Sequence, residues 1–403
     1  MMRQQFLPDG GHSEHSPAYH ARIHQVLENA NSQGLIRGLN PEQLLCRSEI
    51  ALSSLILPNG ELAAFGDTDR DYLTSAIRDP ETFRASILQN AVKGQPKAQE
   101  PRIGALPNTG YFFAHQQTSQ GSCALIQSAA FHSRVHKHAD HGGFIWFDRG
   151  QEILSDPGRF ALAGRTAPGS ALHKAGYWYS DPRRIYVESS AAHNTIVIDG
   201  KDHNRKARPF GSALRRWGVS NEVIFSECDF IHDRIVRWAR VLAMIPSELF
   251  LIVDWVHDRT GQDHTVEQHF QFARGFDAHR FPNHVVGVAA SGLAVSAIAL
   301  LADQKLGTVR VGEEDGDGRL HGWISDQASS MVAAPSFTMS RPPSATQTIA
   351  TLFGFGTEYE SETCACATSI SGKRFRLAWR KSGKLHRLQI DRSADAAIQI
   401  TQS

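Results

Sequence analysis

Two short runs concentrate the side chains that can move protons or hold a metal. The first is His136-Lys137-His138-Ala139-Asp140-His141, followed by Gly142-Gly143-Phe144. In an extended backbone alternate residues share a face, so His136, His138 and Asp140 would point the same way. Such a row suits a divalent metal, or a division between binding and proton transfer. Imidazole ligates zinc when neutral and titrates near neutral pH. The plainer reading is a polar strand end, and 20 histidines in 403 residues make chance clusters commoner. The second run is Ala192-His193-Asn194-Thr195, at the mouth of the apolar Ile196-Val197-Ile198. His193 reads either as a satisfied core residue or as a remote ligand. Ser155-Asp156-Pro157-Gly158 is a turn with a carboxylate at its start, locally an Asx-turn. Together His138, Asp156 and His193 offer two nitrogens and one oxygen, the composition of a zinc site with three protein ligands and an open position.

A third segment, Asp9-Gly10-Gly11-His12-Ser13-Glu14-His15-Ser16-Pro17-Ala18-Tyr19-His20, precedes the first apolar helix. Tyr19 would sit at that helix's start, where a phenol can face a cleft. Composition alone would make the segment a polar cap.

The elements that position these groups change character along the chain. Residues 1–100 read as helical. Ile23, Val26, Leu27 and Ala30 recur at helical spacing and predict one apolar face. Asn40-Pro41-Glu42-Gln43 is a helix start, its run stopping at Pro58-Asn59-Gly60, and Asp79-Pro80 opens another helix. After 95–99 the period shortens. Strands are expected at 110–114, 123–126, 143–147, 185–187, 195–200, 249–253, 266–272, 293–300 and 348–353. Short strands divided by Gly, Asp and Pro predict a large antiparallel sandwich over 101–403.

The formal charge is +1, from 42 basic and 41 acidic side chains, which gives no electrostatic footprint for nucleic acid. No run is long and apolar enough for membrane insertion, and the N-terminus has no recognisable signal peptide. No glycine-rich strand-turn-helix for a nucleotide is present. Five scattered cysteines form no disulfide framework, and Cys364 and Cys366 read as same-face residues of one strand.

In order and spacing these segments resemble the heparinase II/III-like family of polysaccharide lyases. The resemblance is carried by His136 to Phe144, Asp156-Pro157-Gly158, Tyr186 through His193-Asn194-Thr195 to Asp199-Gly200, and the stretch around Tyr19. Gly60-Glu61-Leu62 with Phe65-Gly66-Asp67 adds to it. It covers roughly residues 5 to 360, weakly beyond about 250, and implies a multidomain α+β fold: the C-terminal part of an incomplete α/α toroid, then an antiparallel β-sandwich, with the cleft between them. It implies cleavage of a uronate-containing, acidic polysaccharide or oligosaccharide by β-elimination. Tyr19 would be general base or acid, His136 its partner, and His138, Asp156 and His193 the ligands of Zn2+ or another divalent metal. Glu14 falls on an acidic position of the family motif.

The chain departs from the family in one respect. The groups that neutralise the uronate lie well before the family's tyrosine, and only 18 residues precede Tyr19 here. The expectation is therefore weak or lost activity in this chain, unless a homo-oligomer or another completing chain supplies the missing wall. His141, Arg184 or a bound cation would be substitutes for the neutralising group. The rivals are a non-catalytic carbohydrate-binding module using Trp178, Tyr179 and Arg184, and a structural protein whose metal staples strands. Family members are often periplasmic or secreted.

Overall fold

The computed structural model describes residues 5–36, 40–71, 102–357, 364–368, 373–381 and 384–393. The helix expected from Asp79-Pro80 lies outside them. Two longer helices precede the sheets, α1 (Pro17–Ser32) and α2 (Pro41–Ser53). Helix α1 starts where Ser16 accepts a hydrogen bond from the Tyr19 amide and Pro17 takes the first turn. Its buried face is not the one the apolar spacing suggests. Val26 is 56% exposed, while Ala18, His20, Ala21, His24 and Leu27 are buried. The cause is polar: His20 Nε2 and His24 Nδ1 lie 2.9 and 3.0 Å from Ser48 Oγ on α2, which draws that stripe inward. Helix α2 begins as expected, with Asn40 Oδ1 accepting from the Gln43 amide at 3.2 Å. It ends at Ser53, before Pro58-Asn59-Gly60. Ala51, Leu55, Leu57 and Phe65 then pack on Tyr111, Phe113, Ile126 and Ile145 of the first sheet. Among the described residues the helices do not form a toroid.

The rest is mostly antiparallel β-sheet in layers. The first sheet runs in the order 102–106, 111–118, 121–128, 143–148, 151–154. Leu154 bridges to Phe272, which continues the layer into 264–271, 196–198 and 335–344. Facing it is an eight-stranded sheet, ordered 276–280, 284–289, 294–299, 346–355, 249–258, 236–245, 223–232, 214–220. A third sheet of 364–368, 374–381 and 384–391 covers its far side.

Alternation explains the layers. In Leu249–Asp258, Phe250, Ile252 and Val256 face the first layer, while Leu249, Leu251, Val253 and Trp255 face Phe375, Leu377 and Trp379. Both faces are buried, so this strand reads as a continuous apolar run. Each large apolar side chain removed from water contributes about 1.5–3 kcal/mol.

Two expectations fail locally. Ile185–Val187 is not a strand but lies within helix Pro182–Glu188. Asp181 caps it, accepting from the Arg183 amide at 2.9 Å, and Pro182 fixes its first turn, which outweighs the strand preference of Ile185, Tyr186 and Val187. Residues 136–140 are not extended either, and His136 has φ +58°.

Candidate active site

Tyr19 and His136 meet in the structure. Their rings stack with centroids 3.5 Å apart and planes at 19°. Ser16 places the phenol by capping α1, and its hydroxyl also donates to the Asp67 carbonyl at 2.8 Å. The Asp67 amide in turn donates to the His136 carbonyl at 3.0 Å. This approach needs Gly66, whose φ is +55° and whose added Cβ would stand 2.3 Å from the His136 oxygen.

Asp67 is the centre of the cluster. Its Oδ2 lies 2.8 Å from His136 Nδ1, and its Oδ1 lies 3.1 Å from His138 Nε2 and 2.5 Å from Arg184 Nη2. Burial alone would raise this carboxyl. Hydrogen bonds from His136 and His138 and the Arg184 charge hold it well below the usual carboxylate range. His136 and His138 therefore converge through a shared acceptor, not through a row on a strand. Asp140 does not join them: it pairs with the buried Lys137 ammonium.

His136 Nε2 is 3.7 Å from Glu14 Oε2, which places the acidic residue of the first segment at the site. The Glu14 carboxyl is raised by burial, against the pull of His136. Tyr19 is half-buried; burial first, then Asp67, push its phenol above the ordinary value, against Arg159 and Arg22.

The expected metal ligands come close but divide between two groups. Asp140, Asp156 and His193 offer buried atoms within 4.8 Å of one another, and so do Asp67, His138 and Glu188. The His138 and His193 rings are 5.5 Å apart. Asp156 satisfies both of its readings: Oδ1 accepts from the Gly158 amide at 3.1 Å as in an Asx-turn, and Oδ2 lies 2.8 Å from His193 Nδ1.

Asp140, Asp156 and His193 form a compact donor set of a kind that fits a cation, while His138 belongs to the neighbouring group with Asp67 and Glu188. The Val187 carbonyl accepts from His193 Nε2 at 3.0 Å, and a cation would take the place of the hydrogen that Nδ1 shares with Asp156. His138 is held neutral by burial and donates Nε2–H to Asp67, which leaves a lone pair on Nδ1. That Nδ1 and Asp140 Oδ2 are both buried without a hydrogen-bond partner.

Other expectations need correction. Arg184 is 2% exposed and its charge is taken by Asp67 and by Glu188, at 2.5 Å each, so it is no free clamp for a uronate. His141 packs on His203 instead of joining His136 and His138; their rings are 4.7 Å apart at 6°. Trp178 is 58% exposed and borders a small hollow with Arg134, Tyr177 and Lys206. Asp67 and Arg159 were not singled out from sequence as site residues. The only signal for Asp67 was its place after the glycine of Phe65-Gly66-Asp67.

A heparinase II/III-like, C-terminal family model matches residues 98–361. The chain belongs to the heparinase II/III-like family. Among solved structures it is similar to the heparan sulfate lyase HepC of Pedobacter heparinus, with TM-score 0.73, 18% identity, and coverage of 98% of this chain and 61% of that one. It is also similar to a heparinase III, with TM-score 0.71, 14% identity, and coverage of 96% and 61%. At these identities the likeness establishes the fold. An alginate lyase of Stenotrophomonas maltophilia (strain K279a) is 23% identical over 176 residues, 43% of this chain and 22% of that protein. This heparinase-like chain thus spans less than two thirds of the relatives it matches.

Proposed function

We propose that this chain carries the proton-handling site of a polysaccharide lyase that cleaves a uronate-containing polymer by β-elimination. The observation that carries the reading is the Tyr19–His136 stack with Asp67 on His136 Nδ1. A carboxylate only accepts, so Nδ1 bears the hydrogen and Nε2 keeps its lone pair. His136 Nε2 is then the base for the C5 proton. The released electron pair forms the C4–C5 double bond as the C4–O4 bond breaks. Tyr19, whose raised pKa keeps the phenol protonated, gives its proton to O4. Rings 3.5 Å apart leave no room for a sugar between them, so the substrate meets both tips from their edge. Charge developing on the uronate needs a cation. Arg22, exposed and near Tyr19, fills that role in place of Arg184, whereas Arg159, also near Tyr19, is held by Asp69 at 2.8 Å.

The reading includes a divalent metal, zinc by donor chemistry, held by His138, Asp156 and His193 with Asp140 beside them. Bound there it supplies fixed positive charge and ties three loops together. His138 and His193 would hold it through Nδ1, with Asp67 and the Val187 carbonyl orienting the two rings through Nε2.

The names of the relatives, an alginate lyase and a heparan sulfate lyase, support an acidic polysaccharide and leave the polymer open. The test is the ultraviolet absorbance of the unsaturated product over heparan, chondroitin, hyaluronan and alginate. Turnover of at least one, lost in Tyr19→Phe and His136→Gln, is expected. Turnover that survives both substitutions would overturn the assignment. Binding without turnover would favour the module reading, for which the exposed Trp178 is the specific observation.

A further inference from the structure

Away from the Tyr19–His136 pair, the sandwich holds a hollow of about 920 Å3. It lies between the segment His203–Phe210 and the tip of the hairpin formed by Val223–His232 and Val236–Ile245. Its inner wall is aromatic. His141 stacks on His203, His203 on Trp238 at 5.5 Å and 26°, and Phe230 on Trp238 at 4.6 Å and 22°. Phe210, 45% exposed, meets His141 edge-on at 5.3 Å and carries this surface to the mouth.

The rim is cationic. Lys206, Arg208, Arg215 and Arg234 are exposed on it, and none has an ion pair among the described residues. The rim's carboxylates are Asp229, which Arg237 holds at 2.9 Å, and Asp233, 3.6 Å from His232. Five cations (those four and Arg237) against two carboxylates leave a local surplus in a chain whose net charge is only +1. Such a surplus in a concave surface concentrates anions.

One buried donor points to a ligand independently. His203 is 2% exposed, and its Nδ1 accepts the His141 amide at 3.1 Å. Its hydrogen is therefore on Nε2, which is buried with no hydrogen-bond partner in the protein. Buried donors are rarely left unmatched. Aromatic faces that cover sugar C–H groups, cations for carboxylate or sulfate, and an unused N–H donor are together the chemistry of an acidic saccharide site.

The hollow also adjoins the active-site loop through the chain. Arg134, two residues before His136, donates Nη2 to the carbonyls of Lys206 and Ala207 at 2.8 and 3.1 Å. Lys206 lines both this hollow and the smaller one beside Trp178. Resting on the lyase reading above, we propose that the 920 Å3 hollow is a second, non-catalytic subsite that grips an acidic oligosaccharide away from the bond being cleaved.

The experiment uses the full chain carrying Tyr19→Phe, so that no probe is consumed, and titrates it calorimetrically with alginate and heparan sulfate hexasaccharides. Arg208→Ala/Arg234→Ala is compared in the same background, with melting curves to confirm folding. Weakening of at least one acidic probe by about tenfold or more is expected, in line with losing one of two linked sites. The affinity should also fall with salt. In the chain with Tyr19 intact, the same double variant should raise KM for polymer and leave kcat unchanged. Equal affinity with and without the two arginines overturns the proposal, as does equal binding of neutral cellohexaose, or no binding of either acidic probe. The two readings fail separately. Turnover that is indifferent to the arginines sinks the subsite alone, and arginine-dependent binding with no turnover sinks catalysis alone.

Discussion

Arg240 and Asp254 face each other on adjacent strands, fully buried, and their ion pair reaches out of the sheet to hold the site. Arg240 Nε and Nη2 lie 2.8 and 2.9 Å from the two carboxylate oxygens. Nη1 donates to the carbonyls of Gly142 and Asn194 at 3.0 and 2.8 Å. Gly142 ends the loop of His136, His138 and Asp140, and Asn194 follows His193. Asp254 also accepts from Trp238 Nε1 and Gln268 Nε2, both at 2.7 Å. A charged pair at the centre of the sandwich thus sets the distance between two histidine loops.

Arg240→Ala is therefore expected to destabilise the chain by about 3–5 kcal/mol, because it strands a buried carboxylate and frees two carbonyls. Urea unfolding measures it. A cost below about 1 kcal/mol would mean the pair is dispensable. Metal content should fall with it, since the His193 loop loses its anchor.

Asp67→Asn tests the orientation of His136. The amide can no longer accept from His136, His138 and Arg184 together, so the ring loses its fixed tautomer. Any turnover should drop by about 10²- to 10⁴-fold, mainly in kcat, by analogy with other carboxylate-oriented histidines. Stability should fall by about 1–3 kcal/mol, since Arg184 keeps Glu188 but loses one charged partner. Full activity in the variant would remove Asp67 from the mechanism.

His138→Ala should cost more stability than His136→Ala. His138 is fully buried against Asp67 and beside His193, while the His136 side chain is 18% exposed in the cleft. Truncating the buried ring leaves a cavity and an unpaired acceptor, on the order of 2–4 kcal/mol. Protein purified without chelator should hold about one zinc equivalent, lost in His193→Ala. Equal melting temperatures of the two metal-loaded histidine variants would count against a structural metal.

How much of this could be read from sequence depends on the range of the interaction. The sandwich was legible because its strands are short apolar runs bounded by turn residues, as at Gly143–Asp148 and Leu249–Asp258. The order of the segments along the chain suggested that Tyr19, Glu14 and His136 belong to one cleft, and the structure brings the three side chains together. The α1 face was not, because the preference for His20 and His24 over Val26 is set by Ser48 on another helix. Arg184 looked like a free cation because nothing local shows that Asp67, 117 positions earlier, neutralises it. Asp67 itself has no pattern of its own. It matters because Gly66 lets the backbone touch His136, a contact between segments that no periodicity encodes.

The last prediction concerns pH and a site remote from the histidine loops. His264 is gripped from both sides, Nδ1 2.8 Å from Asp199 Oδ2 and Nε2 2.8 Å from Asp258 Oδ2. Burial would lower its pKa, but hydrogen bonds to Asp258 and Asp199 outweigh it and raise the folded value above the ordinary one. The two carboxyls are lowered, Asp258 chiefly by Thr260 and His264, and Asp199 by His264 and Thr265 against partial burial. The sign follows from linkage. Stability from the raised imidazole is fully present below the unfolded pKa of about 6.5 and is lost as pH rises through the folded value. Stability from the lowered carboxyls is present above about 3.9 and is lost as pH falls through their folded values. The clip between strands 249–258 and 264–271 and the Asp199 turn is thus strongest at about pH 4.5–6. Melting temperatures of the chain and of His264→Gln should differ most near pH 5.5, and the gap should narrow toward pH 9. A gap that stays constant or widens with rising pH would show that His264 is held neutral and that the grip is a pair of ordinary hydrogen bonds.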